Sequence, residues 1–233
     1  MANLMFEVNA LASGYGQSQV IHDLNLKVEK QEIIAVMGRN GMGKTTLFKT
    51  LMGVIPARGG EVKVDGKDIA HLESFQRVES GLAYVPQGRM IFPNMTVLEN
   101  IQTGLPASAK GKVPEDIYEL FPVLAEMAKR KGGNLSGGQQ QQLAIARALA
   151  TNPKVLLLDE PTEGIQPSII KDIAKTLKDI RTMRDLTIVV SEQVLSFTMD
   201  IADRFFVIDK GKLVYENVRS QVDEATISRY LSI

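Results

Sequence analysis

Eight residues constrain this chain more than any others: Gly38-Arg39-Asn40-Gly41-Met42-Gly43-Lys44-Thr45. Their spacing is G-x-x-x-x-G-K-[ST]. Just upstream, Ile33-Ile34-Ala35-Val36-Met37 is a short apolar run that reads as a fully buried strand. Just downstream, Thr46 to Met52 reads as the first turns of a helix. Gly41 and Gly43 lack a Cβ, so the backbone can turn sharply and approach a ligand closely. Several N–H groups then converge at the positive end of the helix dipole, which suits phosphate. Lys44 adds a point charge near the outer phosphates, and the Thr45 hydroxyl can ligate Mg²⁺. Gly38, Arg39, Asn40, Met42 and Thr46 complete the expected cradle. A glycine turn before an ordinary helix would leave the strand, the spacing, Lys44 and Thr45 unexplained.

The remaining pattern is mostly alternating strand and helix. Phe6 to Leu11 reads as a strand ended by Ser13-Gly14-Tyr15-Gly16, and Val20 to Val28 as a half-buried strand. Glu61 to Lys67 reads as a strand entering an Asp65-Gly66 hairpin turn, so an antiparallel β layer is expected beside the phosphate-binding core. Leu82 to Val85 is a further strand, stopped by Pro86. From about 96 to 150 no good strand is found. Thr96 and Glu99 offer a capping box. Pro114 opens a helix carrying Ile117, Leu120, Phe121 and Leu124, Gly132-Gly133 breaks the pattern, and Ser136 to Ala150 is a third helix. Alternation then resumes. Strands are expected at Val155–Leu158, Leu186–Val190, Phe205–Ile208 and Leu213–Tyr215, and helices at Ser168–Ile180, Val194–Ile201 and Val222–Leu231. This order implies an α/β fold: a parallel sheet with helices on both faces, an antiparallel β layer and an inserted α-helical subdomain. The last helix leaves little length for a regulatory C-terminal domain.

Composition bounds the functions open to such a fold. The 233 residues, 44% hydrophobic, suffice for one large domain or two small ones. Lys+Arg and Asp+Glu both number 27, which argues against nucleic acid as the main ligand. The absence of cysteine excludes disulfides and thiolate metal sites and is compatible with a reducing compartment. Met1 to Glu7 has no signal-peptide pattern, and no apolar run is long enough to span a bilayer. Any membrane role is expected to come through a partner. His22 and His71 read as ordinary surface or turn histidines.

Two further motifs follow. Leu156-Leu157-Leu158-Asp159-Glu160 is an apolar strand ending in two carboxylates, and open sheets bind ligands at the carboxyl ends of their strands. Asp159 can orient Mg²⁺, and Glu160 can polarise an attacking water. Alone, surface acids after a buried strand would explain the pair equally well; the glycine loop upstream favours catalysis. Leu135-Ser136-Gly137-Gly138-Gln139 places a serine and two glycines at a helix N-terminus, another anion-binding corner or a simple N-cap.

With the glycine loop and Leu156–Glu160, this pentapeptide makes the chain resemble the ATP-binding cassette (ABC) ATPase family over essentially its whole length. The resemblance implies a P-loop NTPase fold with a RecA-like core as a single unit, 1–233. Residues 1–95 and 151–233 would form the nucleotide-binding core and about 96–150 the helical subdomain. It implies ATP and Mg²⁺, with Tyr15 stacking on adenine, although a strand-end tyrosine in a turn fits that position too. Gln87, in Tyr84-Val85-Pro86-Gln87-Gly88-Arg89, matches a glutamine that reaches Mg²⁺ or the attacking water. Asp159 matches the metal-orienting carboxylate and Glu160 the catalytic glutamate. Ser136, Gly137, Gly138 and Gln139 would bind the ATP held by a second cassette, so that two cassettes close head-to-tail.

Two positions depart from the family pattern. Gln193 stands where a switch histidine is usual; glutamine can hydrogen-bond a phosphate oxygen but cannot be protonated. Gln166 replaces the usual aspartate before Pro167, which puts hydrolysis by a homodimer in doubt. Tyr84 to Arg89, Ile91-Phe92-Pro93 and the Glu192-Gln193 pair resemble the shorter ATPase subunit of branched-chain amino-acid uptake systems. Glu160 to Ile170 looks closer to the urea and short-amide branch. The implied assembly has two integral membrane permease subunits, a second ATPase subunit (sister chain or self) and, indirectly, a solute-binding protein. It involves no nucleic acid and sits at the cytoplasmic face of the inner membrane. The other readings are a non-transport cassette acting on ribosomes or DNA, and a cassette that exports lipid or drug.

Overall fold

Strand β3 (Ile33–Met37) has all five side chains buried, and its alternating residues feed different cores. Ile34 and Val36 join one apolar cluster; Ile33, Ala35 and Met37 face the other side. A strand buried on both faces needs a layer on each, and the chain supplies them. The computed structural model describes residues 3–231, so the outermost positions of the expected 1–233 unit lie outside the described residues.

In chain order the elements are β1 (Leu4–Tyr15), β2 (Ser18–Glu29), β3, α1 (Lys44–Leu51), β4 (Ala57–Val64), β5 (Lys67–Asp68), α2 (Ser74–Glu79) and β6 (Leu82–Val85). Four helices follow: α3 (Val97–Gln102), α4 (Glu115–Leu120), α5 (Pro122–Glu126) and α6 (Gly137–Leu149). Then come β7 (Val155–Asp159), α7 (Pro167–Met183), β8 (Thr187–Glu192), α8 (Leu195–Ile201), β9 (Arg204–Asp209), β10 (Lys212–Val218) and α9 (Glu224–Leu231).

The strands form two sheets. The larger runs β10-β9-β3-β8-β7-β6, parallel from β9 to β6, with β10 antiparallel at the edge. The smaller, β2-β1-β4-β5, is antiparallel and packs with α1 on one face of the large sheet. Helices α3 to α8 pack through a second apolar cluster on the opposite face, and α9 joins them through Ile227. Burying a side chain such as Phe48 or Phe121 completely contributes about 1.5–3 kcal/mol, so these clusters hold the layers together.

Several local readings need correction. The helix opened by Pro114 is two helices, α4 and α5, because Pro122 supplies no N–H and Phe121 leaves the helical conformation (φ −132, ψ 68). Strand β1 does not stop at Ser13: it continues to Tyr15, paired with Ser18 across the hairpin. Helix α1 begins at Lys44, ahead of Thr46. Helix α2 has no counterpart in the sequence reading. It is short, and only Arg77 on it is buried.

Arg77 ties that helix to the core. Its guanidinium donates to the carbonyls of Thr50 and Leu51 at the end of α1 (2.8 and 2.7 Å), and to Ala70 and Leu72 (2.6 and 2.9 Å). A charged donor thus serves the end of α1, where the Thr50 carbonyl also accepts from the Gly53 amide at 3.0 Å, and the loop that precedes α2. Arg77→Met is expected to lower unfolding free energy by about 2–4 kcal/mol, because it strands buried acceptors. A shifted urea midpoint with unchanged m-value would check this.

Candidate active site

Four consecutive strands of the parallel sheet end at the same edge. β3 releases Gly38, β8 Gln193, β7 Glu160 and β6 the Pro86-Gln87 turn. Register fixes their levels: Met37 pairs with Glu192, Asp159 with Ser191 and Val85 with Leu158. A cleft of about 320 Å³ lies there, lined by Asn40, Gly41, Gly43, Lys44, Thr45, Thr46, Gln87, Glu160 and Val20.

The loop from Gly38 to Gly43 turns as its sequence requires. Gly43 has φ 109, outside the comfortable range of other residues, and caps α1; the Leu47 amide bonds its carbonyl at 2.8 Å. Met42 is tied to the edge strand turn by the Gly211 amide at 2.9 Å. Lys44, 4% exposed, donates to the Gly38 and Arg39 carbonyls (2.6 and 3.2 Å) and pairs with Glu160 Oε1 at 3.2 Å. A compact ammonium at the base of an amide-lined loop is suited to an anion's oxygens.

Glu160 collects donors from three elements. Beside Lys44, Gln193 Nε2 donates to Oε1 at 2.9 Å and Gln87 Nε2 to Oε2 at 3.3 Å. The Gln193 amide also reaches Asn40 Oδ1 at 2.8 Å, bridging loop and carboxylate. Glu160 sits in left-handed backbone (φ 47), which costs a non-glycine residue energy and recurs at functional sites. Its amide is held by the Ser191 carbonyl at 2.9 Å.

Asp159 is 1% exposed. Tyr84 Oη donates to its Oδ2 at 3.2 Å, while Oδ1 is buried without a hydrogen-bond partner, as is Ser191 Oγ. Burial pushes the Asp159 carboxyl above the usual range, against the hydroxyls of Ser191, Thr45 and Tyr84, which pull it down. Burial and the neighbouring Asp159 push the Tyr84 phenol far up, so it remains a donor. An orphaned buried carboxylate oxygen near a threonine hydroxyl is a hard oxygen donor set of the kind Mg²⁺ takes.

Tyr15, Ser136, Gly138 and Gln139 are not among the residues that line this cleft. Tyr15 is 51% exposed at the tip of the β1–β2 hairpin, whose carbonyls at Gly16 and Ser18 accept from Arg58 (2.6 and 3.2 Å). Ser136 caps α6: it accepts from the Gln139 amide at 3.3 Å, and Gln139 Oε1 accepts from the Ser136 amide at 3.0 Å. A Cβ on Gly138 would meet Ile169 Cγ2 at 2.4 Å, so α6 and the start of α7 touch here. Gln166 is exposed at the N-cap of α7.

Three residues organise the site through contacts that the sequence reading, which places Asn40 only in the phosphate cradle, does not contain. Asn40 meets Gln193; Arg89 donates to the Glu163 carbonyl at 2.8 Å; and Glu192, 3% exposed, binds both neighbouring turns. Arg89 and Glu192 had been noticed only as parts of motifs. A buried acid at a strand end carries no periodic signal of what it touches.

The burial penalty on Asp159 yields a prediction with a definite sign. A raised folded pKa means the penalty is present above that pKa and relieved as pH falls through it. Without nucleotide or Mg²⁺, Asp159→Asn is expected to raise Tm at neutral pH, with the advantage shrinking in acid. Thermal unfolding scans across pH test this.

A family model described as ABC transporter matches residues 21–163. The high-affinity branched-chain amino acid transport ATP-binding protein BraG of Pseudomonas aeruginosa is 37% identical, covering 90% of this chain and 91% of that protein. The lipopolysaccharide export system ATP-binding protein LptB of Haemophilus influenzae is 35% identical, covering 95% and 94%. Among solved structures, a nucleotide-free ATP-binding cassette from an ABC transporter superposes with TM-score 0.82 at 26% identity, covering 99% and 96%.

Proposed function

The chain belongs to the ABC transporter family as an ATP-hydrolysing cassette, and we propose that it is the motor subunit of an importer for a small polar solute. The observation that carries the motor part of this reading is the Glu160 carboxylate, gripped by Lys44, Gln193 and Gln87 in one cleft. A general base needs this placement: within reach of a water, beside the residues that hold the phosphate. The unit is a single cassette, 1–233, with 1–95 and 151–233 forming the nucleotide core and about 96–150 the helical subdomain.

ATP lies with its phosphates over the loop Gly38–Thr46, and Tyr15 provides an exposed face for adenine. Lys44 turns from the carbonyls of Gly38 and Arg39 to phosphate oxygens. Glu160 polarises the attacking water; the new P–O bond forms as the bridging oxygen leaves with ADP. Gln193 donates to a γ-phosphate oxygen and is uncharged throughout, so its contribution is orientation. Thr45, Asp159 and Gln87 would hold Mg²⁺, which supplies charge neutralisation at the phosphates.

The corner Ser136-Gly137-Gly138-Gln139 lies outside this cleft and serves ATP on a second cassette, so the active form is a head-to-tail pair. Gln166 at the α7 N-cap favours a longer sister ATPase as the partner. Among the described residues no helix is long and apolar enough to cross a membrane. By its resemblance to uptake cassettes such as BraG, the pair works at the cytoplasmic face of the inner membrane on two permease subunits fed by a solute-binding protein. The solute class is a branched-chain amino acid, urea or a short amide. The similarity to BraG and the Glu192-Gln193 pair support uptake. The similarity to LptB supports export of a lipid as the second reading.

Glu160→Gln is expected to leave ATP binding intact and slow turnover by on the order of 10²–10⁴, the scale of losing a positioned base. Near-normal turnover of that variant in the purified complex would sink the assignment. Affinity purification of the tagged chain from membranes is expected to bring integral membrane subunits; ribosomes or DNA in their place would overturn the transport reading. Stimulation of the reconstituted complex by branched-chain amino acids, urea or amides distinguishes uptake from export, for which a lipid would stimulate.

A further inference from the structure

Glu192 ends β8 and is 3% exposed, yet the chemistry above makes no use of it. Its carboxylate accepts four hydrogen bonds, divided between two turns. Oε1 accepts from the amides of Gln193 (2.7 Å) and Val194 (3.1 Å), the turn that leads into α8. Oε2 accepts from the Thr162 hydroxyl (2.6 Å) and the Thr162 amide (3.3 Å), the turn that follows Glu160. The Gln193 side chain hangs from the first turn and reaches Glu160 Oε1 and Asn40 Oδ1.

We propose that Glu192 is a positioning residue: its carboxylate pins the Gln193 turn to the Thr162 turn and so aims the Gln193 amide at Glu160 and the phosphate loop. The argument is geometric. Gln193 is an uncharged side chain with several rotatable bonds, so its placement depends on the backbone it leaves. That backbone is fixed by two N–H hydrogen bonds to one buried acid. The same acid holds the residue two places beyond Glu160, so both ends of the Glu160–Gln193 contact share one anchor. Bonds to a charged acceptor are the stronger kind, and removing the acid strands four N–H or O–H groups, the two of Thr162 in a buried site. A glutamine at 192 keeps the shape. Its amide oxygen can face the Gln193 and Val194 amides while its NH₂ donates to Thr162 Oγ1, so most of the anchor survives.

This rests on the reading of the chain as an ATP-hydrolysing cassette in which Gln193 meets substrate, and the test separates the two. In the complex purified through this chain, Glu192→Ala is expected to lower kcat by about 10–100-fold with the ATP KM changed less than about threefold. Glu192→Gln is expected to recover to within about threefold of wild type. Residues that act as a unit are non-additive, so in a Gln193→Ala background Glu192→Ala is expected to add less than about twofold. A merely structural role would cost the same factor in both backgrounds, and that outcome, or an unchanged kcat, overturns the proposal. If Glu192→Ala does not fold, Thr162→Val takes its place, with the same background dependence expected at about two- to tenfold. Amide hydrogen exchange on the full-length chain gives a readout free of turnover. Glu192→Ala, or Thr162→Val in its place, should speed exchange at Gln193 and Val194 relative to β7; unchanged rates overturn the anchor. A wild-type complex that hydrolyses no ATP counts against the cassette reading, and the exchange result still decides the anchor.

Discussion

Parallel hydrogen bonding between β3, β8, β7 and β6 is the constraint from which the site follows. Parallel strands all finish at one edge, so the residue after each strand is delivered to the same neighbourhood whatever its distance in sequence. The pairs Met37–Glu192, Asp159–Ser191 and Val85–Leu158 set the levels at which the chain leaves the sheet. Gly38, Gln87, Glu160 and Gln193 meet because of that register. A one-residue slip would also reverse which side of β3 faces which core.

The charges sit within a neutral surround. Lys44 and Glu160 are both buried, and an ion pair removed from water is favourable only if its remaining hydrogen-bonding capacity is met. Here the Gly38 and Arg39 carbonyls meet it on the lysine side and the Gln87 and Gln193 amides on the carboxylate side. All of these partners can be exchanged for phosphate or water without moving the sheet. Asp159 differs: one of its oxygens has no partner, and the hydroxyls around it offset its burial only in part.

What the sequence showed plainly was whatever has a local cause. The apolar run Ile33–Met37 is bounded by Glu32 and Gly38 and forms β3 over those residues. The capping boxes at Thr96 and Ser136 form as their spacing demands, because cap and partner lie within one turn. The helix opened by Pro114 read as continuous because Ile117, Leu120, Phe121 and Leu124 keep helical spacing; the break comes from Pro122 acting on its predecessor. Contacts across long separations were not legible. Glu192 finds Thr162 thirty residues upstream, and Asn40 finds Gln193 after a still longer interval. Only the resemblance to known cassettes pointed to Gln193 at all.

Gly138 carries a lesson for reading variants of this protein. A methyl group there would run into Ile169 at a distance no pair of carbon atoms tolerates, before any nucleotide arrives. The glycine is demanded by the seat between α6 and α7 as much as by any anion. An inactive Gly138 variant therefore speaks first about steric fit within one subunit. Evidence for contact with a neighbour's nucleotide has to come from positions such as Ser136 or Gln139, whose side chains can be changed without wedging two helices apart.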